Sequence, residues 1–324
     1  MRRKPIFGDH MSVSSHYAPV LQALEQVDLS AHELARVFHG RGHCYEGLEH
    51  INLDFYPPFL FLVSYQMIDQ AELNVLTEAL WQKVPDIKGQ VEGLVFQQRA
   101  GRDTKSQVYY GELPQPHLIK EQGVQYQVDL LKHQNTGIFP DMYNGRAFVM
   151  NNAKDKKVLN LFSYTCGFSL SAMQGGALSV VNMDMNNGVL KQGKINHKLN
   201  GFVKEVSFYP HDILKSFGKL KKTGPFDLVV IDPPSFQKGS FELTKDYQKI
   251  LRRLPDIVIE GSQLLLCANS PDLSEEAFKA LIEVHAGESF VFEHRLENSQ
   301  GFPEKDNDRN LKALVYRYKE GQNA

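Results

Sequence analysis

Cysteine is scarce in this chain. Three occur in 324 residues, Cys44, Cys166 and Cys267, scattered and without a CxxC pair. Their spacing excludes a disulfide framework and a structural zinc site, leaves His39, His43 and Cys44 without metal-ligand spacing, and so no metal is expected. An excess of charge of one sign is missing too, since 36 lysines and arginines face 38 aspartates and glutamates for a formal net charge of -2. That excludes a generally cationic nucleic-acid binder but not a local basic groove. The longest apolar runs, such as residues 57–63 and 228–231, are far too short to cross a bilayer. The basic start Met1-Arg2-Arg3-Lys4-Pro5 is not followed by the apolar core of a signal peptide, so a cytoplasmic location and no membrane partner are expected. No repeats or low-complexity tracts occur, and the GxGxxG turn of dinucleotide folds is lacking.

What is present describes an ordinary globular protein, 42% hydrophobic and 23% charged, long enough for two or three units. Residues 30–37 have helical spacing, with Ser30 as N-cap and Glu33 completing a capping box. Residues 38–44 (FHGRGHC) read as a loop. Residues 59–65 read as a buried strand, 70–83 as a helix, and 91–97, 107–110 and 124–131 as further strands. Three divisions follow: an N-terminal helical and loop segment at 1–50, a small α+β domain at 51–134, and a third domain at 135–324. In the last, strands at 156–162, 177–183, 205–209, 226–231 and 262–268 alternate with helices at 168–174, 187–200, 246–259 and 274–286. Strands at 290–294 and 312–318 close it as an edge hairpin. The class is α/β: a doubly wound, mainly parallel, seven-stranded Rossmann-like sheet with an antiparallel edge hairpin, preceded by a smaller α+β domain.

Ligands of such sheets bind beyond the carboxyl ends of the strands, near the topological switch point. The first strand runs into Asn160-Leu161-Phe162-Ser163-Tyr164-Thr165-Cys166-Gly167-Phe168, a small and polar turn opening a helix, where backbone N–H groups and the helix dipole meet a polar ligand. The second ends at Asp184, suited to ribose hydroxyls, the third at His211-Asp212, and the fourth at Asp232-Pro233-Pro234-Ser235-Phe236. Any one aspartate there could be only the N-cap of the next helix. Four successive strand ends carrying groups suited to one nucleoside favour a ligand. The two prolines supply no N–H donors and leave carbonyls facing outward. Asp232, a free carbonyl and Phe236 together make a cradle for a planar base.

These residues resemble class I methyltransferases, and more narrowly the bacterial 23S rRNA methyltransferase family that includes a cytosine-C5 and a guanine-N7 enzyme. The resemblance rests on Thr136-Gly137-Ile138-Phe139-Pro140-Asp141, residues 160–168 (NLFSYTCGF), Asp184, residues 196–200 (NHKLN) and residues 232–236, and covers about 135–318. The α+β unit is similar, more weakly, to that family's central domain; no equivalent of its N-terminal PUA module is recognised. The resemblance implies S-adenosylmethionine as cofactor. Ser163, Tyr164, Thr165 and Gly167 would wrap its methionine part, with Asn160 in the same motif. Asp184 would hold the ribose and Asp212 the adenine amino group. Phe139 and Asp141 would close the site, and Asp232, Pro233, Pro234 and Phe236 would face the methyl group and the base. Two positions depart from the family pattern: Cys166 stands for the usual second glycine, and Asp141-Met142-Tyr143 for the usual Asp-Gln-Arg.

Cytosine C5 needs a cysteine adduct at C6 before it can take a methyl group. In the resembling cytosine enzymes that cysteine aligns with Asn269, whereas Cys267 lies two residues earlier, inside the strand. Asn269 resembles the guanine-N7 enzyme, so direct transfer to a ring or exocyclic nitrogen, guanine N7 above all, is expected. RNA is the expected partner, as 23S rRNA or a ribosomal particle, along with a second copy of the chain as a homodimer. Lys238, Lys245, Lys249, Arg252 and Arg253 follow the Asp-Pro-Pro loop and could meet phosphates, as could Arg41 among Arg36, His39 and His43. Lys191, Lys194 and Lys198, and the cluster Lys219, Lys221 and Lys222, read as solvated faces. Competing readings are a cytosine-C5 enzyme using a cysteine nucleophile, a non-catalytic RNA-binding protein with a decayed cofactor site, a nicotinamide oxidoreductase, and a methyltransferase of protein or small molecules.

Overall fold

The computed structural model describes residues 15–100, 104–237 and 241–320, with only the backbone of Phe236, Gln237 and Thr244. Two compact units divide it. The described residues up to Thr136, with Gln300–Lys305, form the first; Gly137–Ser299, with those from Asp306 onward, form the second. Among the described residues no helix is long and apolar enough to cross a membrane.

The first unit comprises α1 (Ala18–Gln26), β1 (Ala35–His39), β2 (Ile51–Tyr56), β3 (Phe59–Ser64), α2 (Gln70–Lys83), β4 (Gly93–Gln98), β5 (Lys105–Tyr110), β6 (His117–Glu121) and β7 (Val124–Val128). Strands β1 to β5 form one sheet in chain order, while β6 and β7 pair as a separate hairpin. Only β3 and β4 run parallel, the crossover between them being α2. Leu73, Leu76 and Leu80 of α2 recur on one stripe and bury against Leu60, Leu62 and Phe96 of the sheet.

The helix expected over 30–37 does not form. Ser30 N–H turns back to Asp28 Oδ1 at 3.0 Å, and the Glu33 carboxylate accepts from Gln122 N–H instead of closing a capping box. Ala35–His39 instead pairs antiparallel with β2. Ladder hydrogen bonds and burial of Phe38 in the core outweigh a short helical preference, because a lone helical turn is poorly stable.

The second unit comprises α3 (Tyr143–Asn152), β8 (Lys157–Leu161), α4 (Gly167–Gln174), β9 (Ser179–Met183), α5 (Asn187–Leu199), β10 (Val206–Tyr209), α6 (Phe217–Thr223), β11 (Phe226–Ile231), β12 (Phe236–Gln237), β13 (Phe241–Glu242), α7 (Leu243–Leu251), β14 (Val258–Ala268), α8 (Glu275–Ala286), β15 (Phe290–Arg295) and β16 (Lys312–Tyr318). Its sheet has seven strands in the order β10-β9-β8-β11-β14-β16-β15. The first five are parallel; β16 runs antiparallel to both its neighbours, so β15 and β16 make the expected edge hairpin. Alternate residues enter opposite layers: Leu159, Val229 and Leu266 pack among α6, α7 and α8, whereas Val158, Val230 and Cys267 pack among α3 and α4. The helix expected over 246–259 stops at Leu251, because Pro255 sits in a short 3₁₀ turn and Val258 already begins β14.

Candidate active site

The chain passes from β8 outward to β9 and β10, then returns across the sheet to β11 beside β8. That reversal is the switch point, and the carboxyl ends of β8 and β11 flank it.

The loop leaving β8 is bent at three residues that carry side chains: Phe162, Tyr164 and Cys166 have φ of 56°, 48° and 68°. Each left-handed angle costs roughly 1–2 kcal/mol, so the surroundings must hold the loop. Ser163 N–H donates to Met183 O at 3.2 Å, Cys166 N–H to Ser163 O at 2.7 Å, and Tyr164 N–H to Asp184 Oδ2 at 3.0 Å. Thr165 Oγ1 donates to Gly137 O, and the Phe139 ring tilts against Tyr164 at 5.2 Å. Cys166, where the resembling family has glycine, takes up the left-handed angle, and its thiol occupies the space over Gly193 of α5. A Cβ on Gly193 would lie 2.5 Å from that sulfur. Burial pushes the Cys166 thiol up, so it is an uncharged filler.

Two features of this loop point to a polar ligand. Among the described residues the buried Ser163 hydroxyl has no oxygen or nitrogen partner, only the soft Cys166 thiol being in reach. Helix α4 begins with no side chain capping it, so its first N–H groups and positive dipole end face the loop. Both fit the carboxylate-bearing tail of S-adenosylmethionine. Asn160 is fully buried inside β8, its Nδ2 donating to Asn182 Oδ1 at 3.0 Å while its own Oδ1 has no partner among the described residues.

Asp184 follows β9, with Oδ2 taking Tyr164 N–H and Oδ1 taking Asn186 N–H at 2.8 Å. Burial pushes its carboxyl up while the two N–H donors pull it back. Asp212, beyond β10, accepts from Leu214 N–H at 3.0 Å and pairs with the exposed Lys215 at 3.1 Å. Asp184 thus ties its own loop to the one after β8, whereas Asp212 braces only its own.

Asp232 lies one residue past β11, on the face of the sheet that carries Val230 and therefore α3. Burial pushes its carboxyl up to about 7; the charge of Asp141 pushes further and Arg146 opposes. Sequence reasoning missed Arg146. It is 3% exposed, four residues after Met142 and three before Val149, both in the core. That spacing is the signal that would have placed it on a buried helical stripe. Asp141 is fixed from behind, its carbonyl accepting the Ser299 hydroxyl, whose oxygen in turn accepts Asn144 N–H at 3.2 Å. After Asp232, Pro233 is buried and Pro234 exposed, and the Ser235 hydroxyl donates to Asn269 O, fastening the loop to the end of β14. The Phe236 side chain and Lys238 lie outside the described residues.

Cys267 is 0% exposed in the core between Val230 and α3, and burial pushes its thiol well up, with Asp232 and Asp141 adding to the shift. Asn269 is exposed at the strand end. Next to it, the wholly buried Lys312 donates to Ser270 O at 2.9 Å and to Asp308 O at 2.6 Å, pinning the start of the following loop. Of the cations after the Asp-Pro-Pro loop, Lys245 pairs with Glu242, Lys249 with Asp246, and Arg252 donates to Gln248 on its own helix at 2.9 Å. Arg41 lies in the first unit. No cluster able to hold a metal occurs among the described residues.

The family model of S-adenosylmethionine-dependent methyltransferases matches residues 35–317. The ribosomal RNA large subunit methyltransferase I of Vibrio cholerae is 31% identical over 270 residues, 80% of this chain and 68% of that protein. Its namesake in Aeromonas salmonicida is 29% identical over 244 residues, 73% of this chain and 62% of that protein. Among solved structures, a Streptococcus mutans protein described as a SAM-dependent methyltransferase has a TM-score of 0.79 at 24% identity, over 98% of this chain and 83% of that one. A methyltransferase solved with SAH has a TM-score of 0.80, also at 24% identity and with the same coverage.

Proposed function

The chain belongs to the S-adenosylmethionine-dependent methyltransferase family, and we propose that it methylates a base of 23S rRNA, free or in a ribosomal particle, by direct transfer to a ring or exocyclic nitrogen, guanine N7 above all. The names of the relatives support the RNA substrate. The observation that carries direct transfer is the burial of Cys267 in the core behind Asp232, with an exposed Asn269 where a nucleophile would stand.

When bound, S-adenosylmethionine supplies a methyl group on a sulfonium, activated for displacement. The residues of this chain hold the two partners. Ser163, Tyr164, Thr165 and Gly167 take the methionine end, through the buried Ser163 hydroxyl and the start of α4, which no described side chain caps. Asp184 holds the ribose through the acceptor capacity its carboxylate retains, Asp212 the adenine amino group, and Phe139 with Asp141 close the side. Guanine N7 has an in-plane lone pair and no proton, so no general base is required. The protein must orient the purine edge and offset positive charge that grows on the ring. Asp232 in its carboxylate form and the Pro233 carbonyl accept from the N–H groups of the base. Prolines at 233 and 234 contribute no competing donors. Arg146 favours the charged form of Asp232.

The test is methylation of deproteinised 23S rRNA and of ribosomal particles by purified protein, with the modified nucleotide identified by mass spectrometry. A 7-methylguanine is the expected product. A 5-methylcytosine, with a covalent protein–RNA adduct that Cys267→Ala abolishes, would replace direct transfer by cysteine chemistry.

A further inference from the structure

The FHGRGH segment lies in the first unit, and its geometry has its own logic. Gly40 and Gly42 make a 3₁₀ turn with Arg41 between them. A Cβ on Gly40 would lie 1.8 Å from Leu48 O, and one on Gly42 1.8 Å from Pro303 O, so backbone presses on both. The two glycines are demanded by packing, whereas the exposed arginine is not. Its guanidinium lies 4.3 Å from the centre of the Tyr65 ring. A second guanidinium, Arg99, lies 5.5 Å from the same ring and donates to the Tyr65 hydroxyl at 3.1 Å. Neither arginine is ion-paired with a carboxylate among the described residues. The contrast with the buried Arg36, held in a salt bridge by Asp54, is sharp.

We propose that the corner of the five-stranded sheet formed by Arg41, Tyr65 and Arg99 binds single-stranded RNA, a step beyond the active site that rests on the RNA reading above. Two cations gathered at one aromatic ring, Arg99 also donating to Gln97, suit phosphates, while the planar exposed guanidinium of Arg41 offers a stacking face to an unpaired base. A duplex would hide its base faces and use only the charge.

The experiment is fluorescence anisotropy of a labelled single-stranded 23S rRNA oligonucleotide with the 324-residue protein across a salt series. Arg41→Ala with Arg99→Ala should weaken binding at least tenfold and make the slope of log K against log salt shallower by about 1.4, at about 0.7 per phosphate contact on a single strand. Tyr65→Ala should cost about tenfold. Calorimetry of S-adenosylmethionine binding should be unchanged in each. Should the double variant misfold, Arg41→Gln alone, at an exposed position, should still weaken binding. Wild-type affinity and slope in the double variant, or in Arg41→Gln, would sink the surface while leaving the RNA reading intact. Equal competition by a duplex of the same sequence would overturn its single-stranded character. No RNA binding by the parent protein would overturn both readings.

Discussion

The loops after β8 and β11 leave neighbouring strands at the same edge of one sheet and are built in opposite ways. The first is built on bent angles and ends in donors: three residues with side chains hold left-handed φ, and a helix with no described side-chain cap follows. The second has no backbone donors where its prolines stand, which leaves the Asp232 carboxylate and the proline carbonyls as acceptors there. This asymmetry suits the proposed site, in which an anionic cofactor tail and an N–H-bearing base meet at one switch point. The donor side is held by Asp184 and by the match of Cys166 to Gly193, and the acceptor side by Ser235 on Asn269.

The comparison breaks if the acceptor side is dispensable. Asp232→Ala should lower kcat by about 10²–10³-fold, the scale of removing one electrostatic contact to a charged transition state. S-adenosylmethionine affinity, measured by calorimetry, should change far less. An equal loss in both would move Asp232 to the cofactor's side. The ionisation of Asp232 sharpens the same point. Its carboxyl is pushed up to about 7, so below that pH it carries a proton and cannot accept through both oxygens. Single-turnover rate should therefore rise with pH through about 7, falling about tenfold per unit below it. Asp232→Asn should flatten the profile at a low rate. Arg146→Met should move the midpoint upward, since Arg146 opposes protonation, whereas Arg146→Lys should leave it nearly in place.

The donor side is tested by stability. Gly193→Ala drives a methyl into the Cys166 sulfur and should cost roughly 1–3 kcal/mol by denaturant melts. Cys166→Gly in the same chain should recover most of it, because glycine frees the space and relaxes the left-handed angle. Additive effects of the two substitutions would show that Cys166 and Gly193 do not form one packing unit.

Much of this asymmetry was legible in the sequence. Alternating strands and helices after residue 156 imply the parallel sheet, and Asp232-Pro233-Pro234 marks an acceptor loop wherever a buried strand precedes it. Residues 30–37 misled because a capping-box pattern is local, while the strand that claims 35–39 lies beyond a loop in sequence. Arg146 was missed because α3 was not recognised, and an arginine on a buried stripe contradicts the hydrophobic pattern that reveals helices. Lys312 was read as the start of a strand, correctly, but its full burial depends on carbonyls of Ser270 and Asp308 that no periodicity announces. Nor does anything local indicate that Gln300–Lys305 joins the first unit.

The smallest effect expected is the most discriminating about chemistry. Cys267 sits on the same face of the sheet as Asp232, wholly enclosed, with its thiol pushed well up by burial and by the two acids. A nucleophile needs the thiolate and a path to the base, and this cysteine has neither. Cys267→Ala should cost about 1 kcal/mol of stability as a small core truncation and should leave single-turnover rate within about twofold, since no bond to the base depends on it. Because the alanine changes neither the strand-end Asn269 nor the Ser235 tether, a large rate loss without a matching stability loss could come only from covalent chemistry at the sulfur. It would turn the acceptor loop from a cradle for direct transfer into the support of a cysteine adduct.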